Sequence, residues 1–136
     1  MKKFTIQRAL LLLFLFTITT SCSENNVDSG KNLVGTWSWK SSSGGIAGTT
    51  ETPLSTGKNI DLKLTSDGKY FYFTNGIILS QGTYNLVTQN CIHDHTDKKV
   101  LIFSNDESMM IEKIDNSNLS LSDENYDGFS NLYIKK

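Results

Sequence analysis

The sequence predicts an all-β protein, an eight-stranded antiparallel up-and-down barrel behind an N-terminal export segment, and three observations carry that prediction. After the export segment there is a single alanine, Ala47, and no apolar spacing long enough for an amphipathic helix of about ten residues or more. Short runs rich in valine, isoleucine, threonine and aromatics recur instead, eight times. Clusters of glycine, asparagine, aspartate and serine separate them. Eight such runs joined by tight turns can close on themselves, which removes unpaired edges and leaves an interior about one small ligand wide.

The chain has 136 residues, 38% hydrophobic, with a single proline and ten glycines, which fits one small folded domain and neither a collagen-like nor a disordered chain. Its first 21 residues read as a secretory signal. Lys2, Lys3 and Arg8 give the basic start, Ala9 to Phe16 the apolar stretch, and small residues follow. That stretch is too short to span a bilayer, which takes about 20 apolar residues. Thr19-Thr20-Ser21-Cys22 resembles the lipobox of bacterial lipoproteins. The resemblance implies cleavage before Cys22 and acylation of its thiol and amino group with chains such as palmitate. Two or more chains hold a protein stably on a membrane. Residues 22–32 then form a polar, flexible tether. Ser23 after the lipidated cysteine is similar to the sorting pattern of outer-membrane lipoproteins, so the expected address is the outer membrane, facing the periplasm or the cell surface. Loss of the signal removes the only arginine and leaves an acidic remainder, which disfavours nucleic acid as a partner.

The runs are Gly35 to Lys40, Asn59 to Thr65, Lys69 to Thr74, Ile77 to Leu86, Lys99 to Ser104, Ser108 to Ile114, Asn118 to Ser122 and Ser130 to Lys135. Alternation sets Ile60, Leu62 and Leu64 on one face and Asp61, Lys63 and Thr65 on the other. Leu119 and Leu121 alternate likewise, and Leu132 and Ile134 read as the apolar face of the last run. Tyr70-Phe71-Tyr72-Phe73 is apolar on both faces, and the phenolic hydroxyls point to Tyr70 and Tyr72 as the outward pair. Ser66-Asp67-Gly68, Asn75-Gly76 and Asp115-Asn116-Ser117 are tight-turn sequences. Ser41 to Lys58 is a long glycine- and threonine-rich connection, read as a candidate lid over the barrel mouth.

Leu33-Val34-Gly35-Thr36-Trp37 resembles the glycine-x-tryptophan motif of lipocalins. Gly44-Gly45, Thr52-Pro53, Asp67-Gly68-Lys69-Tyr70, Asn75-Gly76, Gly82-Thr83-Tyr84 and Asp127-Gly128 extend the likeness to the lipocalin-like domains of small bacterial lipoproteins. It covers nearly all of residues 33–136. The resemblance implies that Gly35 gives room and Trp37 closes one end of the barrel. It also turns the shared face of Trp37 and Trp39 inward, and implies binding of a small apolar or amphipathic ligand. Trp39, Leu62, Phe71, Phe73 and Tyr84 are the candidate ligand-binding residues. The competing reading is a barrel filled by its own side chains that serves as a surface interaction module.

Cys91, His93 and His95 fall on one side if their segment is extended, a weak candidate set for zinc or copper set against a plain polar hairpin loop. Asp123 to Gly128 opens like a calcium loop, but Ile134 stands where the bidentate glutamate belongs. A hairpin turn with Gly128 at positive φ is the alternative. Neither histidine has a nucleophile motif beside it, and no phosphate-cradling loop is present, so no enzyme activity and no cofactor are expected.

Overall fold

The computed structural model describes residues 29–136; the export segment and the lipidation candidate Cys22 lie outside the described residues. A short helix, α1 (Ser29–Leu33), leads into β1 (Gly35–Gly44), β2 (Thr49–Glu51), a helical turn α2 (Pro53–Thr56), β3 (Ile60–Leu64) and β4 (Lys69–Thr74). β5 (Ile77–Asn90), β6 (Asp97–Phe103), β7 (Ser108–Ile114), β8 (Asn118–Ser122) and β9 (Phe129–Lys135) follow. β1, β3, β4, β5, β6, β7, β8 and β9 pair in that order, each antiparallel to the next, and β9 returns to β1. The ring is therefore a closed eight-stranded barrel. β2 adds a ninth strand outside the ring, on the far end of β1 through Ser42 to Gly44.

The predicted strands recur with small changes. β1 runs four residues further than Lys40, and β5 continues to Asn90. Ser41 to Lys58 is not an uninterrupted lid loop, because β1, β2 and α2 occupy most of it. α2 is held by a capping box between Thr52 and Ser55, with Pro53 in its first turn and Gly57 in a left-handed C-cap. Asn75 and Gly76 both take positive φ, at 51° and 81°, as a two-residue hairpin turn requires. The stretch read as tether up to residue 32 is helical from Ser29.

Two side-chain orientations differ from the sequence reading, for one reason. Directly paired residues share a face, so the inward Leu62 and Leu64 carry their partners Tyr72 and Tyr70 inward. Phe71 and Phe73 therefore lie on the outer face, stacked with ring centroids 6.5 Å apart and with Lys63 Nζ 5.9 Å from the Phe71 ring. In the same way Tyr133 pairs with Leu119 and Trp39 and is fully buried, which leaves Leu132 and Ile134 partly exposed on the outside.

One end of the barrel is sealed. Trp37 is fully buried and donates its Nε1–H to the carbonyl of Leu33 in α1, 2.8 Å away. The Lys135 stem passes beside Gly35, where a Cβ would stand 2.8 Å from Lys135 Cε, and its ammonium lies 5.1 Å from the Trp37 ring. The barrel interior around and beyond this plug holds Trp39, Leu62, Leu64, Tyr70, Leu101, Phe103, Ile111, Leu119, Leu121 and Tyr133. Trp39 Nε1–H donates to Ser42 Oγ at 2.8 Å, so the second tryptophan is also satisfied.

A separate small core lies on the outer face. Cys91, Val100 and Met110 are buried together, with Val87 and Ile102 against them. Val87, Val100 and Met110 occupy one row of paired residues facing away from the interior, and the β5–β6 turn covers them with Cys91. β6 pairs with β7 only through Val100 to Ile102. Beyond that point the β5–β6 hairpin is anchored by side chains: Lys98 Nζ donates to Glu112 Oε2 at 2.8 Å, and the Ile92 amide to Glu124 Oε1 at 3.2 Å.

Candidate functional site

The site develops at the end opposite α1, where β4 and β6 finish and β5 and β7 begin. A half-enclosed cavity of about 210 Å³ is lined by Tyr70, Tyr72, Leu79, Ser80, Phe103, Asn105, Glu107 and Met109. A residual void of this size exceeds what a single water fills but lies below the roughly 300–1,000 Å³ of drug-sized pockets. It accommodates a molecule of about one aromatic ring, not an acyl chain.

Each lining residue has a local cause. Tyr70 and Tyr72 are turned inward by their pairing with β3, as above. The Tyr70 ring meets Phe103 edge-on, centroids 4.8 Å apart at 68°, and its hydroxyl lies 2.9 Å from Ser80 Oγ. Gly82 pairs with Tyr70, and a Cβ there would collide with Ser104 Oγ and stand 3.0 Å from the Tyr70 ring. The glycine is what lets this ring lie flat against β5. A β-bulge between Tyr72 and Phe73 pairs Tyr72 with Ser80 and Phe73 with Ile78, leaving Leu79 as the extra residue. Leu79 is 71% exposed and borders the cavity. The β6–β7 turn carries Asn105 and Glu107, with Asp106 at positive φ between them and the Phe103 amide bonded to the Glu107 carbonyl.

The polar groups of the cavity are ordered from floor to rim. Tyr72 and Tyr133 place their hydroxyls 3.1 Å apart in the interior. Burial pushes the Tyr72 phenol up from its ordinary range and the bond from Tyr133 offsets part of this, while the Glu107 charge adds to the rise. Tyr133 is raised well above the ordinary phenol by burial first, then by its neighbour Tyr72 and by the Asp123 and Glu107 charges. Both phenols are neutral hydrogen-bonding groups at physiological pH. Glu107 is the only charged side chain on the cavity wall, and it has no ion-pair partner among the described residues.

The residues proposed from sequence divide in three. Trp39 and Leu62 lie in the packed interior and Tyr84 beside it, but none of the three lines the cavity. The Tyr84 hydroxyl is engaged by the carbonyl of Thr65 at 2.9 Å. Phe71 and Phe73 are outside the barrel. Trp37 is buried and bonded to Leu33 of α1, and the Lys135 stem passes through the space beside Gly35. None of the eight lining residues was among the sequence candidates: those of the β6–β7 turn and the bulge, Phe103 at the end of β6, Met109 in β7, and the two tyrosines, whose face was legible from their pairing with Leu62 and Leu64.

Cys91, His93 and His95 do not share a face, because their segment is a turn and not extended strand. Cys91 is buried in the outer core, His93 stands edge-on to Tyr126 at 5.4 Å, and His95 adopts positive φ. Among the described residues no three histidine, cysteine or acidic side chains gather as metal ligands. The Asp123 to Gly128 turn is closed by its own first residue: the Phe129 amide donates to Asp123 Oδ2 at 3.0 Å, and the Asp123 amide to the Phe129 carbonyl at 3.0 Å. Gly128 is absent from the positive-φ glycines, contrary to expectation. Space is its reason, since a Cβ would lie 2.8 Å from Asp123 Cβ and 3.0 Å from Asn125 Oδ1. Comparison of the chain with family models, curated proteins and solved structures gives no match.

Proposed function

We propose that this chain is a lipid-anchored, lipocalin-like lipoprotein of the outer membrane whose barrel binds a small amphipathic molecule in the cavity opposite its tethered end. The observation that carries the reading is the contrast between the two ends. Trp37, Leu33 and Lys135 seal the end at which the chain enters from the tether, whereas the other end keeps an aromatic recess with polar groups at its floor and rim. An acylated Cys22 joined to α1 by residues 23–28 holds the sealed end toward the bilayer, and the recess then faces away from it. Enclosed apolar walls with a few convergent polar groups are the general form of a small-ligand site. The recess limits the ligand to about the size of a substituted benzene ring, smaller than the lipophilic guests that the sequence resemblance implies. Neither a catalytic role nor a cofactor is part of this proposal.

Native mass spectrometry of the full-length protein extracted from envelope membranes tests it, with Met109→Trp as the comparison. The expected outcome is acylated mature protein beginning at Cys22 and carrying a releasable guest of low mass. Met109→Trp fills the recess and loses the guest while retaining the fold. Equal guest loading in both proteins, or none in either, contradicts the binding part and favours a filled barrel that acts through its surface. An unmodified Cys22 contradicts the anchor.

A further inference from the structure

We infer that the cavity selects a small organic cation, an amine or quaternary ammonium attached to a compact apolar body. The inference rests on the binding role proposed for the cavity and adds the charge of what enters it.

Three features of the wall converge on this class. Tyr70, Tyr72 and Phe103 place three aromatic rings in the wall of a space of about 210 Å³. Aromatic faces attract cations through their quadrupole, by about 0.5–1 kcal/mol when exposed and by about 2 kcal/mol or more when desolvated. Glu107 adds one carboxylate at the rim. No lysine lines the space, and no described lysine is paired with Glu107, so its charge is not neutralised among the described residues. Its field also reaches inward, because it raises both Tyr72 and Tyr133. An anion in the recess meets that charge without any opposing donor of positive charge. A neutral molecule gains the apolar walls and the hydroxyls alone. A cation gains the walls, the rings and the carboxylate together, and Asn105 with Ser80 offers further polar contacts for an ammonium or a hydroxyl group.

Charge and size can be separated with three probes that share one ring: benzylammonium, benzyl alcohol and benzoate. Titrations of the full-length protein by ligand-observed and methyl NMR at neutral pH are expected to rank benzylammonium about tenfold tighter than benzyl alcohol, with benzoate weakest. Glu107→Gln, a change on an exposed turn, is expected to remove the preference, so that benzylammonium and benzyl alcohol bind this variant equally. If benzyl alcohol binds as tightly as benzylammonium, or if Glu107→Gln leaves the ratio intact, the cation inference is overturned and the cavity remains a binding site. If none of the probes binds, the underlying binding role falls as well.

Discussion

Gly82 bears on the site more directly than its lack of a side chain suggests. Its missing Cβ is the space in which the Tyr70 ring lies against Phe103, and Ser104 crowds the same point from the β6–β7 turn. Gly82→Ala is expected to displace Tyr70, weaken binding of benzyl alcohol several-fold and cost about 1–3 kcal/mol in urea unfolding, as overpacking does. An alanine variant with unchanged stability and binding would show that the ring has room to spare. Sequence reading recognised Gly82-Thr83-Tyr84 as a unit but had no means to see that the partner of Gly82 is Tyr70. The faces of Tyr70 and Tyr72 were within reach. Assigning them by hydroxyl polarity failed because both phenols find hydroxyl partners inside, at Ser80 and Tyr133. Pairing register outweighs side-chain polarity where the neighbouring strand has a fixed apolar face.

Among the elements, the outer end of the β5–β6 hairpin extends beyond the three-pair β6–β7 ladder and is held there by side chains, charged ones among them. Its tip is held by Asp94, Lys98, Glu112 and Glu124. The Thr96 hydroxyl and amide hold the Asp94 carboxyl well below the usual carboxylate range. Burial alone would raise Glu112, but its bonds from Lys98 and Ser122 outweigh that and lower it. Groups lowered in the folded state add stability above the unfolded carboxylate pKa and lose it as pH falls through their folded values. Acidification from about pH 4 to pH 2 is therefore expected to free the 91–96 turn before the barrel opens. Amide protection factors, corrected for intrinsic exchange rates, check this. A turn that keeps its protection until β8 and β9 lose theirs would contradict it. The hairpin itself was partly legible, since both flanking strands were placed, but not its fold onto β7. The alternation of Val87, Val100 and Met110 is readable only once it is known that a turn covers the outer face.

At the scale of the whole molecule, closure and asymmetry decide what the barrel can do. The strand order and the ring were legible because alternation, turn chemistry and the eight runs all pointed to one topology. The filled middle stood only as the competing reading, without the residues that fill it. It arises from pairings such as Trp39 with Tyr133 and Leu121 with Asn131, which bring distant residues to one level. The recess survives only where β4, β5, β6 and β7 diverge around their turns, and loop residues such as Asn105 and Glu107 carry no periodic signal. Two neighbouring side chains of β7 therefore report on the two faces of the barrel wall. Met109 lines the recess, while Met110, the next residue, is buried in the outer core. Methyl NMR of methionine-labelled protein titrated with benzyl alcohol reads both at once, with the resonances assigned by Met109→Leu. The expected result is a saturable shift of the Met109 methyl with that of Met110 unmoved; a shift confined to Met110, equal shifts at both, or no shift at Met109 would contradict a ligand recess inside this barrel.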